Sequence, residues 1–499
     1  MINLVGKIIF FVFIFFIFQF SAFTQNSTSD KRNILKLTAP SVIQYLLSSN
    51  YDVKKALLDY KKTASPLIRY RGKYDCNLYA GGSLTRIENN SGYNPNLAAE
   101  SYSNISGSAG ISKQFSTGTS VKAGLTASMP SYKSLSSTGE DLNLYQTGLS
   151  VELSQEILKN SFGVNDRLEE RKIYNQRLTS RENIRSKLAG LIVEALVSYW
   201  NIAIAEENLK TRKISLKSTA DIKKLVQRKI LLGLSEREEV DDWSGKVLDE
   251  KSRRDIAEKS LFDAKLGMKR VLSLDPDVVL LLGKTFREDK PAVSFQEALK
   301  DAFMKRSDLK NKRIELKNAG IDYEIAVNSG LPSLKIKATY GNNSYDPDSH
   351  VNSTTEYNPE YSVGFEFSYP LNGKFSRADL RDSRIGLQSL LMDIKQMEVD
   401  IRDDIVSKVK QCDVDFRVYE QTKRSSIYAR NYYNQVYRKF KKGRYSAVEL
   451  KIALDSYILS RQAVLKSLVD YNISLLRRDL ARNVVFEKFN IDIDSILKM

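Results

Sequence analysis

The stretch RKFKKGRYSAVEL, residues 438–450, has a counterpart in RKILLGLSEREEV, residues 228–240. Each sets Arg-Lys ahead of a lone glycine and follows it with Ser-x-x-Glu. A glycine that ends a helix supplies a left-handed C′ residue, and Ser-x-x-Glu is the capping box that starts the next helix. Gly443 with Ser446 and Glu449, and Gly233 with Ser235 and Glu238, therefore predict two helical hairpins.

Little in the flanks would break a helix. No proline lies between Pro130 and Pro276 or after Pro370, and Gly443 is the only glycine after Gly386. Leu188, Ile192, Ala195, Tyr199 and Ile202 step by three or four, as do Ile401, Ile405, Val409, Cys412, Phe416 and Tyr419. Leu450, Tyr457, Val464 and Tyr471 step by seven, a coiled-coil period, so these helices are expected to pack lengthwise. A helix from Asn165 to Leu232 spans on the order of 100 Å, more than a compact domain can use.

Other segments have period two. YSVGFEFSY, 361–369, puts Tyr361, Val363, Phe365, Phe367 and Tyr369 on one face and Ser362, Gly364, Glu366 and Ser368 on the other. GLSVELSQ, 148–155, does the same with Leu149, Val151 and Leu153 against Ser150, Glu152 and Ser154. Such alternation over about nine residues suits a membrane barrel strand, and equally a half-buried soluble one. KYDCNLYAGGSLTRI at 73–87 and PSLKIKATYG at 332–341 give each half another strand, followed by polar loops at 88–104 and 342–360. The first half adds a hairpin at 107–129 that the second lacks, in the membrane or outside it.

The chain opens MINLVGKIIFFVFIFFIFQFSAFTQ, with Lys7, an apolar run from Ile8 to Phe20 and then Ser21, Ala22 and Thr24. This reads as a secretory signal peptide over 1–24. No later stretch approaches the roughly 18 uninterrupted apolar residues of a spanning helix, so the mature chain is expected to enter a membrane only as strands.

The net charge is +17 and the pI near 9.4, yet in DRLEERKIYNQRLTSRENIRSK, 166–187, acids are interleaved with the bases. A solvated helix face explains such charge, and no nucleic-acid partner is expected. His350 is the only histidine and falls in a polar loop, which excludes histidine-centred catalysis and multi-histidine metal sites. With no nucleophile-base pair, metal spacing or phosphate loop, no enzyme activity and no cofactor are expected. Cys76 in a strand and Cys412 in a helix are not expected to pair.

The two halves repeat. LSVELSQEI at 149–157 matches VGFEFSYPL at 363–371, and the stretch at 37–62 resembles that at 293–318. The layout is a signal peptide (1–24), N-terminal helices (25–72), first strands with the extra hairpin (73–157) and a long helical hairpin turning near 233 (158–275). A linker (276–292), shorter helices (293–330), second strands (331–371), a second long hairpin turning near 443 (372–485) and a tail (486–499) complete it. These strands are too few to close a useful barrel in one chain, so a membrane reading needs several protomers in cyclic symmetry.

In this order, the strand-into-helix passages at 149–175 and 363–385 and both glycine hairpins resemble the TolC-like outer-membrane efflux protein family. The resemblance covers essentially the whole mature chain. It implies a mixed membrane α+β fold: a homotrimer with one shared transmembrane β-barrel, four strands per protomer, and a long periplasmic α-helical coiled-coil barrel, built on an internal duplication. It further implies a passive outer-membrane exit duct of a tripartite efflux pump or type I secretion system. Its partners would be a membrane-fusion adaptor, an inner-membrane transporter and outer-membrane lipid.

By the same resemblance, Gly233, Leu234, Ser235, Gly443, Arg444, Tyr445 and Ser446 form a periplasmic tip that docks the adaptor. Glu239 and Glu449, six residues past each glycine, match the family's acidic constriction, although Glu449 and Glu238 also serve as capping-box residues. Ile452 and Tyr445 stand where relatives often carry an acid and a basic latch, leaving Arg237 and Arg444 as substitute latch residues or as solvated ones. Trp200 is read as packing, Trp243 as interface or core, and Tyr361 and Tyr369 as a bilayer-interface girdle. Glu152 and Glu366 are read as lining a channel or bonding locally. The competing reading is an exported coiled-coil structural protein or adhesin without channel activity.

Overall fold

The computed structural model describes residues 34–88, 99–134, 142–231, 236–283, 286–290, 294–346 and 356–498. The signal segment, His350, Gly233, Leu234 and Ser235 lie outside these residues.

The chain begins with β1 (Ile34–Leu37), α1 (Ala39–Ser49), α2 (Tyr51–Lys62) and α3 (Ser65–Arg71). The first strands are β2 (Cys76–Glu88), β3 (Ala99–Gln114), β4 (Thr119–Ser134), the short β5 (Leu142–Asn143) and β6 (Tyr145–Glu156). A long hairpin of α4 (Val164–Leu231) and α5 (Arg237–Val271) leads to β7 (Val279–Leu282), α6 (Phe295–Lys305) and α7 (Ser307–Ser329). The second strands, β8 (Ser333–Asp346) and β9 (Glu356–Ser368), feed α8 (Lys374–Lys441) and α9 (Ala447–Ala481). Two short helices, α10 (Val485–Lys488) and α11 (Ile493–Lys498), close the chain.

The long helices form where breakers are absent. α4 and α8 are each 68 residues, about 100 Å of helix, and α5 and α9 are each 35. Around α4, the run Ser161–Leu231 contains an 18-residue window of mean hydropathy 1.7, which corrects the expectation that nothing past the leader approaches a spanning helix. The strongly apolar part of α4 is a packing face. Leu188, Ile192, Ala195 and Ile202 are fully buried in the largest core, against α1, α2, β7 and the C-terminal tail. Trp200 belongs to this core, as its position beside the helical seam suggests.

The 276–292 segment is more than a connection. Its β7 pairs in parallel with β1, Ile34 opposite Val279 through Leu37 opposite Leu282. Cys76 is exposed, Cys412 is buried, and both are free thiols.

The strands form one sheet in the order β2-β3-β4-β6-β8-β9, with β5 beside β4 and every neighbour antiparallel. The extra hairpin thus extends beyond 107–129 into two 16-residue strands set between β2 and β6, and the sheet of this chain holds six long strands where the resemblance implies four. Small residues such as Gly107, Ala109, Ala123 and Ala127 weaken its alternation in the sequence, which hid its length. Register places Leu78, Ile111, Ala123, Val151, Tyr340 and Tyr361 on one face. The opposite face carries Ser83, Ser106, Ser128 and Gln146.

Candidate functional site: the hairpin tip and the polar sheet face

Far from the sheet, the two hairpins end side by side. α8 stops at Lys441 because Gly443 takes a left-handed φ of 75°. The Arg444 N–H then bonds the Lys439 carbonyl and the Gly443 N–H the Phe440 carbonyl, each at 3.0 Å, which is a Schellman closure. The next helix starts with the expected box. The Ser446 Oγ accepts from the Glu449 N–H at 3.2 Å, and the Glu449 carboxylate accepts from the Ser446 N–H at 2.9 Å. Glu449 is therefore engaged in its own cap.

The first turn differs from the expected capping box. α5 begins at Arg237 with Glu236 at the N-cap and no side-chain cap bond there, while Ser235, the expected cap, lies outside the described residues. The cap sits one residue later than the motif suggests, which puts Glu239 rather than Glu238 at the third helical position. Glu239 is half-buried and acts electrostatically on Lys229. Arg237 and Arg444 are exposed, while Tyr445 is half-buried with the Lys439 ammonium 5.3 Å from its ring centre.

A compact apolar cluster joins the hairpins just behind the turns. Ile222 and Val226 of α4 and Trp243 of α5 pack with Val436 and Phe440 of α8 and Leu450 and Leu454 of α9. Trp243 is 1% exposed, so it is core within the protomer. Three polar ties cross the same junction, and sequence reasoning missed them all. Lys229 donates to the Phe440 carbonyl at 2.7 Å, 3.8 Å from that ring's centre. Lys451 pairs with Asp242 at 2.7 Å and Lys246 with Asp455 at 2.8 Å. Burial pushes the Lys229 pKa below its ordinary value, with Glu239 acting in the opposite sense. The partners lie some two hundred residues apart, and only the repeated hairpin hinted that they meet.

At the other end, the polar sheet face carries charges in pairs. Glu152 lies 3.8 Å from Lys337, and Glu366 stands opposite Lys335. The Tyr79 ring crosses Gly110 and Gly124; at Gly110 an added Cβ would also clash with the Ala123 carbonyl, so glycine is required there, whereas at Gly124 it would meet chiefly the Tyr79 hydroxyl. The chain thus presents small, hydroxyl-bearing residues on one sheet face and two helical hairpins tied by charged side chains at the other end. Among the described residues, no group of three or more His, Cys, Asp or Glu is placed to hold a metal ion.

No protein-family model and no curated protein matches the chain. Solved structures do. CusC, described for conformational changes accompanying folding and transmembrane channel formation, aligns over 94% of this chain and 96% of its own, with a TM-score of 0.65 at 15% identity. The open state of the Neisseria gonorrhoeae MtrE outer membrane channel aligns over 89% and 88%, with a TM-score of 0.64 at 16% identity. The Campylobacter jejuni CmeC outer membrane channel aligns over 92% and 90%, with a TM-score of 0.63 at 14% identity. The chain has the fold of these channels along nearly its whole described length.

Proposed function

We propose that the protein is a passive outer-membrane exit duct that works as a homotrimer. The observation that carries this reading is a bare apolar sheet face. Leu78, Leu125, Val363 and Phe365 are 81%, 62%, 80% and 78% exposed, whereas water-soluble monomers keep such patches small. Lipid covers this face and the polar face lines an aqueous lumen. An exported coiled-coil protein or adhesin has no use for such a face.

One protomer leaves both sheet edges open. β2 and β9 are separated by an odd number of antiparallel steps, so they run in opposite directions and pair in antiparallel fashion around a ring of copies. The long hairpins extend the tube through the periplasm. Their equal lengths, 68 and 35 residues in each half, support an origin by internal duplication. The tip at 233–235 and 443–446 docks a membrane-fusion adaptor beneath an inner-membrane transporter of an efflux pump or type I secretion system. Glu239 and Glu449 give its opening cation preference, and the polar ties between the hairpins favour the closed form. No step of this function is chemical catalysis.

Mass measurement of the purified protein in nanodiscs tests the assembly. Three copies per particle in outer-membrane fractions are expected. A detergent-independent, monodisperse monomer would refute the reading.

A further inference from the structure

We infer that β3 and β4 form part of the membrane wall, and that three copies close a barrel of eighteen strands, three times six, instead of twelve. The inference rests on the trimeric duct proposed above.

Pairing is the first support. β3 is bonded along its length to β2, from Cys76 opposite Lys113 to Glu88 opposite Ser101, and β4 to β6, from Thr119 opposite Gln155 to Ser128 opposite Gln146. The hairpin is therefore inserted within the sheet and not appended to it. Without it, the facing edges of β2 and β6 would have no partner in this arrangement.

Alternation is the second. Ile105, Ile111, Leu125 and Met129 lie on the apolar face with Leu78, Leu84 and Val363. Ser106, Ser108, Ser112, Thr126 and Ser128 lie on the polar face. Ile105 is 58% and Ile111 50% exposed, a cost that a hairpin standing in water gains nothing by bearing. The hairpin has the same two-faced pattern as the strands around it.

Width is the third. Below the sheet, α3, α4, α7 and α8 pack side by side in that order. Four helices at roughly 8–10 Å spacing cover about 32–40 Å of circumference per copy. Six strands about 4.8 Å apart, tilted about 40°, cover about 38 Å, whereas four cover only about 25 Å. Six strands match the helical tube they sit on. Three copies then enclose about 36 Å from backbone to backbone, against about 24 Å for twelve strands. With Ser, Thr and Gly lining much of the wall, the barrel admits bulky hydrated cargo and selection falls to the tip.

Cryo-electron microscopy of the full-length trimer in lipid nanodiscs should show eighteen strands in cross-section. Twelve, with β3 and β4 outside the wall, would overturn the inference and leave the duct intact. A second measurement uses the Cys76→Ser protein carrying a fluorescent label at Ile105→Cys, Leu125→Cys, Ser106→Cys or Val363→Cys. Nitroxides on lipid chains should quench the labels at 105, 125 and 363, and aqueous iodide the label at 106. Quenching by lipid at 363 alone would overturn the place of the hairpin. Loss of lipid quenching at 363 as well would overturn the duct reading beneath it.

Discussion

Lys229→Met is the substitution expected to act most cleanly on the closed tip. The Lys229 ammonium belongs to a residue 8% exposed and bonds the last-turn carbonyl of Phe440 at 2.7 Å. Methionine keeps the apolar stem among Ile222, Val226 and Phe440 and removes the charged donor. A hydrogen bond from a charged group and a cation at a helix C-terminus are both favourable, but the burial that lowers the Lys229 pKa cancels the gain due to the charge itself. What Met removes is then an ordinary hydrogen bond, about 0.5–1.5 kcal/mol, roughly a 2- to 12-fold shift toward parted hairpins. Single-channel recording of Lys229→Met, beside the exposed control Lys224→Met, reads this as open probability. Equal open probability in both variants would refute the tie. The sign with pH follows from linkage: the folded pKa lies below the ordinary lysine value, so the unfolded chain binds the proton more tightly. The tip therefore gains stability as the pH rises from the folded pKa toward about 10.4.

Three further outcomes are expected. Replacing Glu239 and Glu449 together by Gln should reduce cation preference, measured as reversal potential in a salt gradient; unchanged selectivity would remove both from the constriction. Asp479→Ala should destabilise the helical body by about 3–5 kcal/mol, because a carboxylate 3% exposed would leave Arg478 at 2.9 Å and Lys488 at 2.6 Å without their partner. Thermal unfolding measures that loss, and a melting point equal to wild type would contradict it. Hydrogen bonds from Lys423 and Tyr419 hold the Glu288 pKa below the ordinary range. Its contribution is full above about 4.3 and is lost as the pH falls through the folded pKa, so hydrogen exchange at 286–290 should rise on acidification in wild type but not in Glu288→Gln.

The sequence made the long helices legible because only glycine and proline interrupt them, and Gly443 with Ser446 and Glu449 turned out to be the closure and cap that motif describes. In the first hairpin the N-cap falls on Glu236, one residue past the serine of the motif, and carries no side-chain cap bond. Strand alternation was clear where Val, Phe and Tyr carry it, as in β9, and faint where Ala and Gly do, as in β3 and β4. The β1–β7 pairing and the Lys229–Phe440 tie were illegible because each joins distant segments that local patterns cannot connect. The acid positions could be nominated only through resemblance, and the structure finds Glu449 already bonded within its cap.

The most direct test of the duct is the conductance of the purified full-length protein in planar lipid bilayers. The account predicts discrete, reproducible steps that become more frequent in Lys229→Met. A folded trimer that inserts yet never conducts, even with Lys229 replaced and both tip carboxylates removed, would contradict it.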